Sequence, residues 1–313
     1  LHVKRRRQRQ MCIRDRCGNL WINMRFISNG FYFLIAIIAI LWSFTSSFDK
    51  DGSSRPKSDS FSNKNITSIK TIEYSNNMNT PARNKKNLRS LPKFTIQSES
   101  KIRRQGGSGT AFYVGQDTWV TARHVINQCP KVMMSFGKKQ MIIKDIYIHP
   151  NSDLAIFKNK EDIDLPYFEI TRYKEEAFSS GYPAGNPGDL ALNYLGHVGL
   201  ENKSYGVFER GLVYSITDRS PFSLNSIGGL SGGPAFSKDN RLSGILVAEN
   251  ARRALAILVE NKSLFELLEE TNMLATSIES NNSVRLITTN KNFSSNGKTL
   301  RKQGVIRKIY CIF

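Results

Sequence analysis

Between residues 106 and 262 the chain is a series of short apolar runs separated by Gly, Pro, Asn and Asp. Examples are AFYVG (111–115), TWVTA (118–122), KVMMSF (131–136), MIIKDIYI (141–148), LAIFK (154–158), GLVYSIT (211–217), LSGILVAE (242–249) and ALAILV (254–259). Most hold four to eight residues and are rich in Val, Ile and aromatics. Runs this short, closed at each end by turn residues, predict strands of an all-β sandwich or barrel. One helix is expected, Ser263–Thr271. There Leu264, Leu267 and Leu268 share a face, and Ser263 with Glu266 three positions later has the pattern of a capping box. That helix is placed at the end of the domain.

The flanks are of another kind. The formal charge of +19 invites a nucleic-acid reading, but the charge is unevenly placed. Residues 1–47 carry +7, residues 48–105 +8 and residues 281–313 +7, whereas residues 106–280 carry −3. No specific nucleic-acid binding is expected of the strand-rich middle. The opening LHVKRRRQRQMCIRDR has no apolar period, so 1–23 is read as a disordered or non-native leader, with Met24 as the start. In 24–47, twelve consecutive apolar residues, FYFLIAIIAILW (31–42), follow one Arg and precede small residues. That is shorter than the ~20 residues of a membrane span and predicts a signal peptide, with an uncleaved membrane anchor as the alternative. Either way the remainder is expected to be exported: periplasmic, secreted or membrane-anchored. Residues 48–105, rich in Ser, Asn, Lys and Thr, read as a disordered basic linker, and 276–313 as a basic disordered tail. The domain proper is then 106–275. Cys12 and Cys17 fall in the leader. Cys129 and Cys311 are too few for a disulfide scaffold, and whether they pair stays open. No tandem repeat, phosphate-cradling loop or zinc spacing is present, so no metal and no cofactor is expected.

The sharpest local pattern is Gly228-Gly-Leu-Ser231-Gly-Gly-Pro-Ala-Phe236. Glycines on both sides of a serine let the backbone turn tightly and approach a substrate carbonyl, and they leave N–H groups to bind an oxyanion. A nucleophile elbow of the α/β-hydrolase kind requires a histidine after the serine, and none follows Ser231. The order His, Asp, Ser is met instead. His124 lies in TARHV (121–125) at the end of a predicted strand, Asp153 in HPNSDLAIF (149–157) at the start of another, and Ser231 follows 78 residues later. Singly, a histidine after a strand, an aspartate before an apolar run and a serine among glycines are most often structural; in this order they are not. Of the other histidines, His149 is read as a strand-end residue and His197, in LGHVG (195–199), as structural. Asp117 is too close to His124 to act as the acid in the order Asp, His, Ser.

GSGTAF (107–112), TARHV, SDLAIF (152–157) and GLSGGPAF (229–236) together resemble the trypsin-like serine peptidases of the chymotrypsin fold, over about 106–270. The 29 residues from His124 to Asp153 are similar to the compact bacterial branch, the Deg-type proteases and glutamyl endopeptidases. The resemblance implies two six-stranded antiparallel β-barrels, at about 106–170 and 171–262, with the site between them. It implies a serine endopeptidase acting on proteins or peptides. Ser231 would be the nucleophile, His124 its base and Asp153 the group that orients His124. The N–H groups of Gly229 and Ser231 would form the oxyanion hole.

The resemblance also implies a primary pocket built from residues just before the nucleophile, Asn225 and Ser226, and from the strand after it, Leu246, Val247 and Ala248. With Asn225 at the base and no histidine in the wall, a neutral, small-to-medium apolar P1 residue is expected. Glu249 and Arg252-Arg253 at the hairpin tip are placed to modify it. Leu230 stands where animal zymogens of this family carry an Asp, so activation by a freed N-terminus is not expected. The competing expectation is an inactive protease-fold module that binds peptides or a partner.

Overall fold

The computed structural model describes residues 67–71, 88–96, 107–161, 163, 169–170, 175–273 and 286–313. The leader 1–23 and the apolar segment 24–47 lie outside the described residues. Among the described residues sixteen strands and three α-helices follow in chain order. They are β1 (Ser68–Thr71), β2 (Lys93–Ile96), β3 (Ser108–Gly115), β4 (Thr118–Ala122), α1 (Arg123–Ile126), β5 (Lys131–Phe136), β6 (Lys139–Ile143), β7 (Asp145–Ile148) and β8 (Leu154–Lys158). Then come β9 (Glu169–Ile170), β10 (Ala177–Gly181), β11 (Gly188–Asn202), β12 (Val207–Ser220), β13 (Pro234–Ser237), β14 (Arg241–Asn250), β15 (Leu255–Val259), α2 (Asn261–Glu270), α3 (Phe293–Lys302) and β16 (Ile306–Ile312).

The fold is mostly β. Its C-terminal half is a closed six-stranded antiparallel barrel, β10-β13-β14-β15-β12-β11, sealed by β10 pairing with β11. Its N-terminal half departs from the expected closed barrel. It is an eight-stranded sheet in the order β1-β7-β8-β4-β3-β16-β5-β6, and among the described residues β6 and β7 do not pair. The reason is local: the second edge of β7 is taken by β1, in parallel register from Ser68↔Asp145 to Thr71↔Ile148. β1 and β2 lie in the stretch expected to be a linker, and both are sheet-edge additions, β2 running parallel to β11.

The C-terminal tail is also corrected. Residues expected to be disordered form α3 and β16. β16 inserts between β3 and β5, antiparallel to both. It is held by buried chemistry. Arg307 is bonded to Gly304 O and paired with Glu161 at 3.1 Å, and its guanidinium lies 4.8 Å from the Trp119 ring and 4.6 Å from that of Phe136. Cys311 is disulfide-bonded to Cys129 across 182 residues. α3 packs on the closed barrel. Phe293 stacks on Phe178 at 6.2 Å, and Arg301 clamps the Asp189 carboxylate at 2.6 and 2.9 Å.

The core explains the apolar pattern. Leu246 and Leu258 point into the closed barrel with Leu190, Leu212 and Tyr214. Their neighbours Ile245, Val247, Ile257 and Val259 point into a second core, shared with Trp119, Phe157 and α2. Both faces of β14 and β15 are therefore buried, so these strands read as continuous apolar runs rather than alternating ones. The helix expected at Ser263 starts two residues earlier, at Asn261. Glu260 is its N-cap, without a side-chain cap bond. Leu264, Leu267 and Leu268 are buried as the period demands, but Ser263 lies inside the first turn and its hydroxyl is used elsewhere.

Candidate active site

The pairing of β4 with β8 brings His124 and Asp153 together. Their register ends at Ala122↔Leu154, and the next residues continue it, Arg123 N–H donating to Asp153 O at 3.1 Å. The chain then turns into α1. The His124 N–H donates to Asp153 Oδ1 at 2.9 Å, and His124 Nδ1 lies 2.7 Å from Asp153 Oδ2. An ionised carboxylate only accepts, so Nδ1 carries the proton and Nε2 is left as the basic nitrogen. The Asp153 side chain is 1% exposed and that of His124 18%, so the acid is sealed while the ring reaches solvent.

Ser231 sits in a tight turn tied to both halves of the fold. The Ser231 carbonyl accepts from Thr110 N–H at 2.8 Å, and the Gly229 carbonyl accepts from the Thr110 hydroxyl at 2.8 Å. Gly232 N–H donates to Leu246 O at 2.7 Å. Gly232 has φ +88°, and a Cβ there would meet Thr121 Oγ1 at 2.6 Å and Ala122 N at 2.7 Å. The serine turn is therefore pressed directly against the end of β4, two residues before His124. Across the same contact, a Cβ on Gly109 would lie 2.6 Å from Val125, the residue after His124, and 2.9 Å from Ser231 O. The backbone thus brings Ser231 to the His124–Asp153 pair. Among the described residues no hydrogen bond joins the Ser231 hydroxyl to the His124 ring, a contact that commonly tightens only with substrate.

The candidate oxyanion donors are oriented by their own peptides. Across a trans peptide, C=O and N–H point in opposite directions. The Gly228 carbonyl accepts from Ala184 N–H at 2.6 Å, which turns the Gly229 N–H the other way. The Leu230 carbonyl accepts from Gly233 N–H at 2.7 Å and does the same for Ser231 N–H. Among the described residues neither N–H has an acceptor. Gly229 takes φ +100°, and a Cβ would lie 2.6 Å from Tyr182 O, so only glycine fits there.

The pocket residues are only partly brought together. Asn225 and Ser226 are exposed and Ala248 is half-buried. Leu246 and Val247, at 1% and 2% exposure, are not pocket walls: their side chains fill the two cores described above. Instead Glu249 reaches the floor segment, accepting from the Ser226 hydroxyl at 2.5 Å and from Ile227 N–H at 3.0 Å. His149 and His197 lie in other networks, His149 Nε2 3.4 Å from Glu266 and His197 Nε2 3.2 Å from Glu260.

One group beside the site was not singled out from sequence. Glu209 of β12 accepts from Ser152 and from the Asp153 N–H, and burial pushes its carboxyl up to about 8. Its signal was an acid at an inward position of VFERGLV (207–213), where 207, 209 and 211 face the core.

Residues 109–245 match the family described as the trypsin-like peptidase domain. No curated protein sequence matches the chain. Among solved structures it is similar to the active form of the Rv3671c protease from M. tuberculosis, at 14% identity and TM-score 0.45, covering 77% of this chain and 99% of that one. It is also similar to the MamO protease domain from Magnetospirillum magneticum, at 15% identity and TM-score 0.40 over 51% and 93% of the two chains. The serine protease of a human pathogenic astrovirus follows, at 16% identity and TM-score 0.37 over 50% and 85%.

Proposed function

We propose that the chain, whose residues 109–245 match the trypsin-like peptidase domain, is a serine-type peptidase that hydrolyses peptide bonds through an acyl-enzyme on Ser231. His124 Nε2 takes the Ser231 proton as Oγ attacks the carbonyl carbon. It then returns that proton to the leaving amine, and in the second half activates water against the ester. Asp153 holds the ring tautomer and stabilises the imidazolium. The N–H groups of Gly229 and Ser231 bind the oxyanion, a donor of this kind being worth about 2.7–4 kcal/mol.

The observation that carries the reading is that both Asp153 oxygens are spent on His124, one on its backbone and one on its ring. A fold used only to bind peptides has no need of that arrangement. A fluorophosphonate probe tests it. The wild-type protein should be labelled and Ser231→Ala should not; a folded wild type that takes no label would overturn the catalytic reading and leave the inactive module as the alternative.

For P1 we propose a neutral, small-to-medium apolar residue, because Asn225, Ser226 and Ala248 bring no charge and both Glu249 oxygens are already hydrogen-bonded. A second reading is favoured by Glu249 itself, a carboxylate on the pocket floor that would select Lys or Arg. Profiling on a peptide library decides between them. Cleavage after Lys or Arg that disappears in Glu249→Gln overturns the neutral pocket.

We propose export or tethering through residues 24–47, consistent with a disulfide between Cys129 and Cys311, since such bonds persist in oxidising compartments. N-terminal sequencing of the mature protein tests it, and a cytosolic protein with an intact N-terminus would refute it.

A further inference from the structure

β12 belongs to the closed barrel, yet Glu209 leaves it to grip the other half of the fold. Glu209 is buried, 8% of the residue being exposed. Oε2 accepts from the Ser152 hydroxyl at 2.6 Å and Oε1 from the Asp153 N–H at 2.9 Å, both in the turn before β8. The Ser263 hydroxyl of α2 lies 3.4 Å from Oε2. β12, the turn before β8 and α2 therefore meet at one buried acid, and one of the groups it holds is the backbone N–H of Asp153.

That backbone is clamped on both sides. The Asp153 N–H is bonded to Glu209, and the Asp153 carbonyl accepts from Arg123 N–H at 3.1 Å. With the peptide fixed, two side-chain torsions remain to set how the carboxylate meets His124. Placement of a catalytic group by about 1 Å changes rates by as much as 10²-fold, so the clamp has leverage on chemistry.

We infer that Glu209 is a positioning residue of the peptidase site, the point at which the closed barrel sets the Asp153 backbone and so the Asp153–His124 geometry. The inference rests on the catalytic reading of Asp153 and His124 given above. Glu209 touches neither the imidazole nor the proposed nucleophile; it acts through Asp153. The position asks for an acceptor toward Asp153 N–H and a polar partner for the Ser152 hydroxyl. A glutamine supplies both, its carbonyl toward the N–H and its amide toward the hydroxyl, which can accept as well as donate. Burial, which favours the protonated carboxyl at neutral pH, agrees with a role that needs no charge.

The test uses the full chain and the rate of reaction with a fluorophosphonate, together with kcat and KM on a peptide taken from the library profile. Thermal unfolding run in parallel confirms that each variant is folded at the assay temperature. Glu209→Ala should slow labelling and lower kcat about 10–100-fold with KM within about twofold, and Glu209→Gln should stay within about threefold of wild type. Glu209→Asp, which withdraws the carboxyl by one methylene and keeps its chemistry, should also be slow, and it carries the test if the alanine variant does not fold. Folded Asp or Ala variants that react at the wild-type rate overturn the inference, as does a glutamine variant as slow as alanine. Failure of the underlying reading looks different: wild type itself takes no label.

Discussion

At Glu209 the folded protein holds a proton that the unfolded chain releases. Burial pushes this carboxyl from 4.5 up to about 8, while the Ser152 hydroxyl and the Asp153 N–H pull it partly back. Between those two values the native state binds more protons than the unfolded state, so stability falls as pH rises through the window. The contribution is fully present below 4.5 and lost above about 8. Glu209→Gln cannot ionise and should lack this fall. Its melting temperature should gain on that of wild type as pH rises from 5 to 9, and parallel curves would refute the shift. In the sequence Glu209 lies just ahead of the predicted run 211–217 and belongs to no motif. Its partners lie 56 and 57 positions away, and only the meeting of two sheets makes them neighbours. The proposed triad residues His124, Asp153 and Ser231 stand out in the sequence because each sits in a contiguous motif with its own local geometry. Leu246 and Val247 were misplaced for a related reason: adjacent strand residues point to opposite faces, and both faces of β14 are filled.

Among the elements, β16 departs most from expectation. Its sequence IRKIYCI hides its burial, since Arg307 interrupts the apolar pattern and is itself buried only because Glu161, Trp119 and Phe136 receive it. A charge whose partners lie elsewhere in the chain looks like a solvated one. The strand bonds β3 on one edge and β5 on the other, so without it the N-terminal sheet divides in two. The Cys129–Cys311 bridge makes that element covalent. Closing a loop of 182 residues removes unfolded-state entropy worth about 5 kcal/mol in the chain model, with about 2–4 kcal/mol typical of native bridges. Replacing both cysteines by alanine should lower the denaturation free energy by about 2–5 kcal/mol, and reduction of wild type should give a comparable loss. A change below about 1 kcal/mol would mean that β16 is held by its ladders and Arg307 alone.

For the molecule as a whole, the question is how an open sheet and a closed barrel meet at the candidate site. Thr110 is the joint. Its N–H and hydroxyl bind the carbonyls of Ser231 and Gly229, its hydroxyl accepts from Tyr182 N–H at 3.1 Å, and its carbonyl accepts from the Thr121 hydroxyl at 2.8 Å. β3 and β4 of one half and the serine turn and β10 end of the other thus meet at a single residue. Thr110→Val keeps the shape and the backbone bonds but leaves the Gly229 carbonyl and the Tyr182 N–H without that hydroxyl. Losing a partner at a buried polar group costs about 1–3 kcal/mol, and stability should fall by that amount. Activity should fall further than stability explains. The Gly229 carbonyl lies between those of Gly228 and Leu230, whose bonds orient the proposed oxyanion donors, and Tyr182 opens the turn that presents Ala184 N–H to Gly228 O. A loss of kcat of about tenfold or more in folded protein, with fluorophosphonate labelling slowed in proportion, is the expected result. If Thr110→Val lowers the melting temperature yet labels at the wild-type rate, the joint serves folding alone, and the donors are aligned within the closed barrel by the bonds of Gly228 and Leu230.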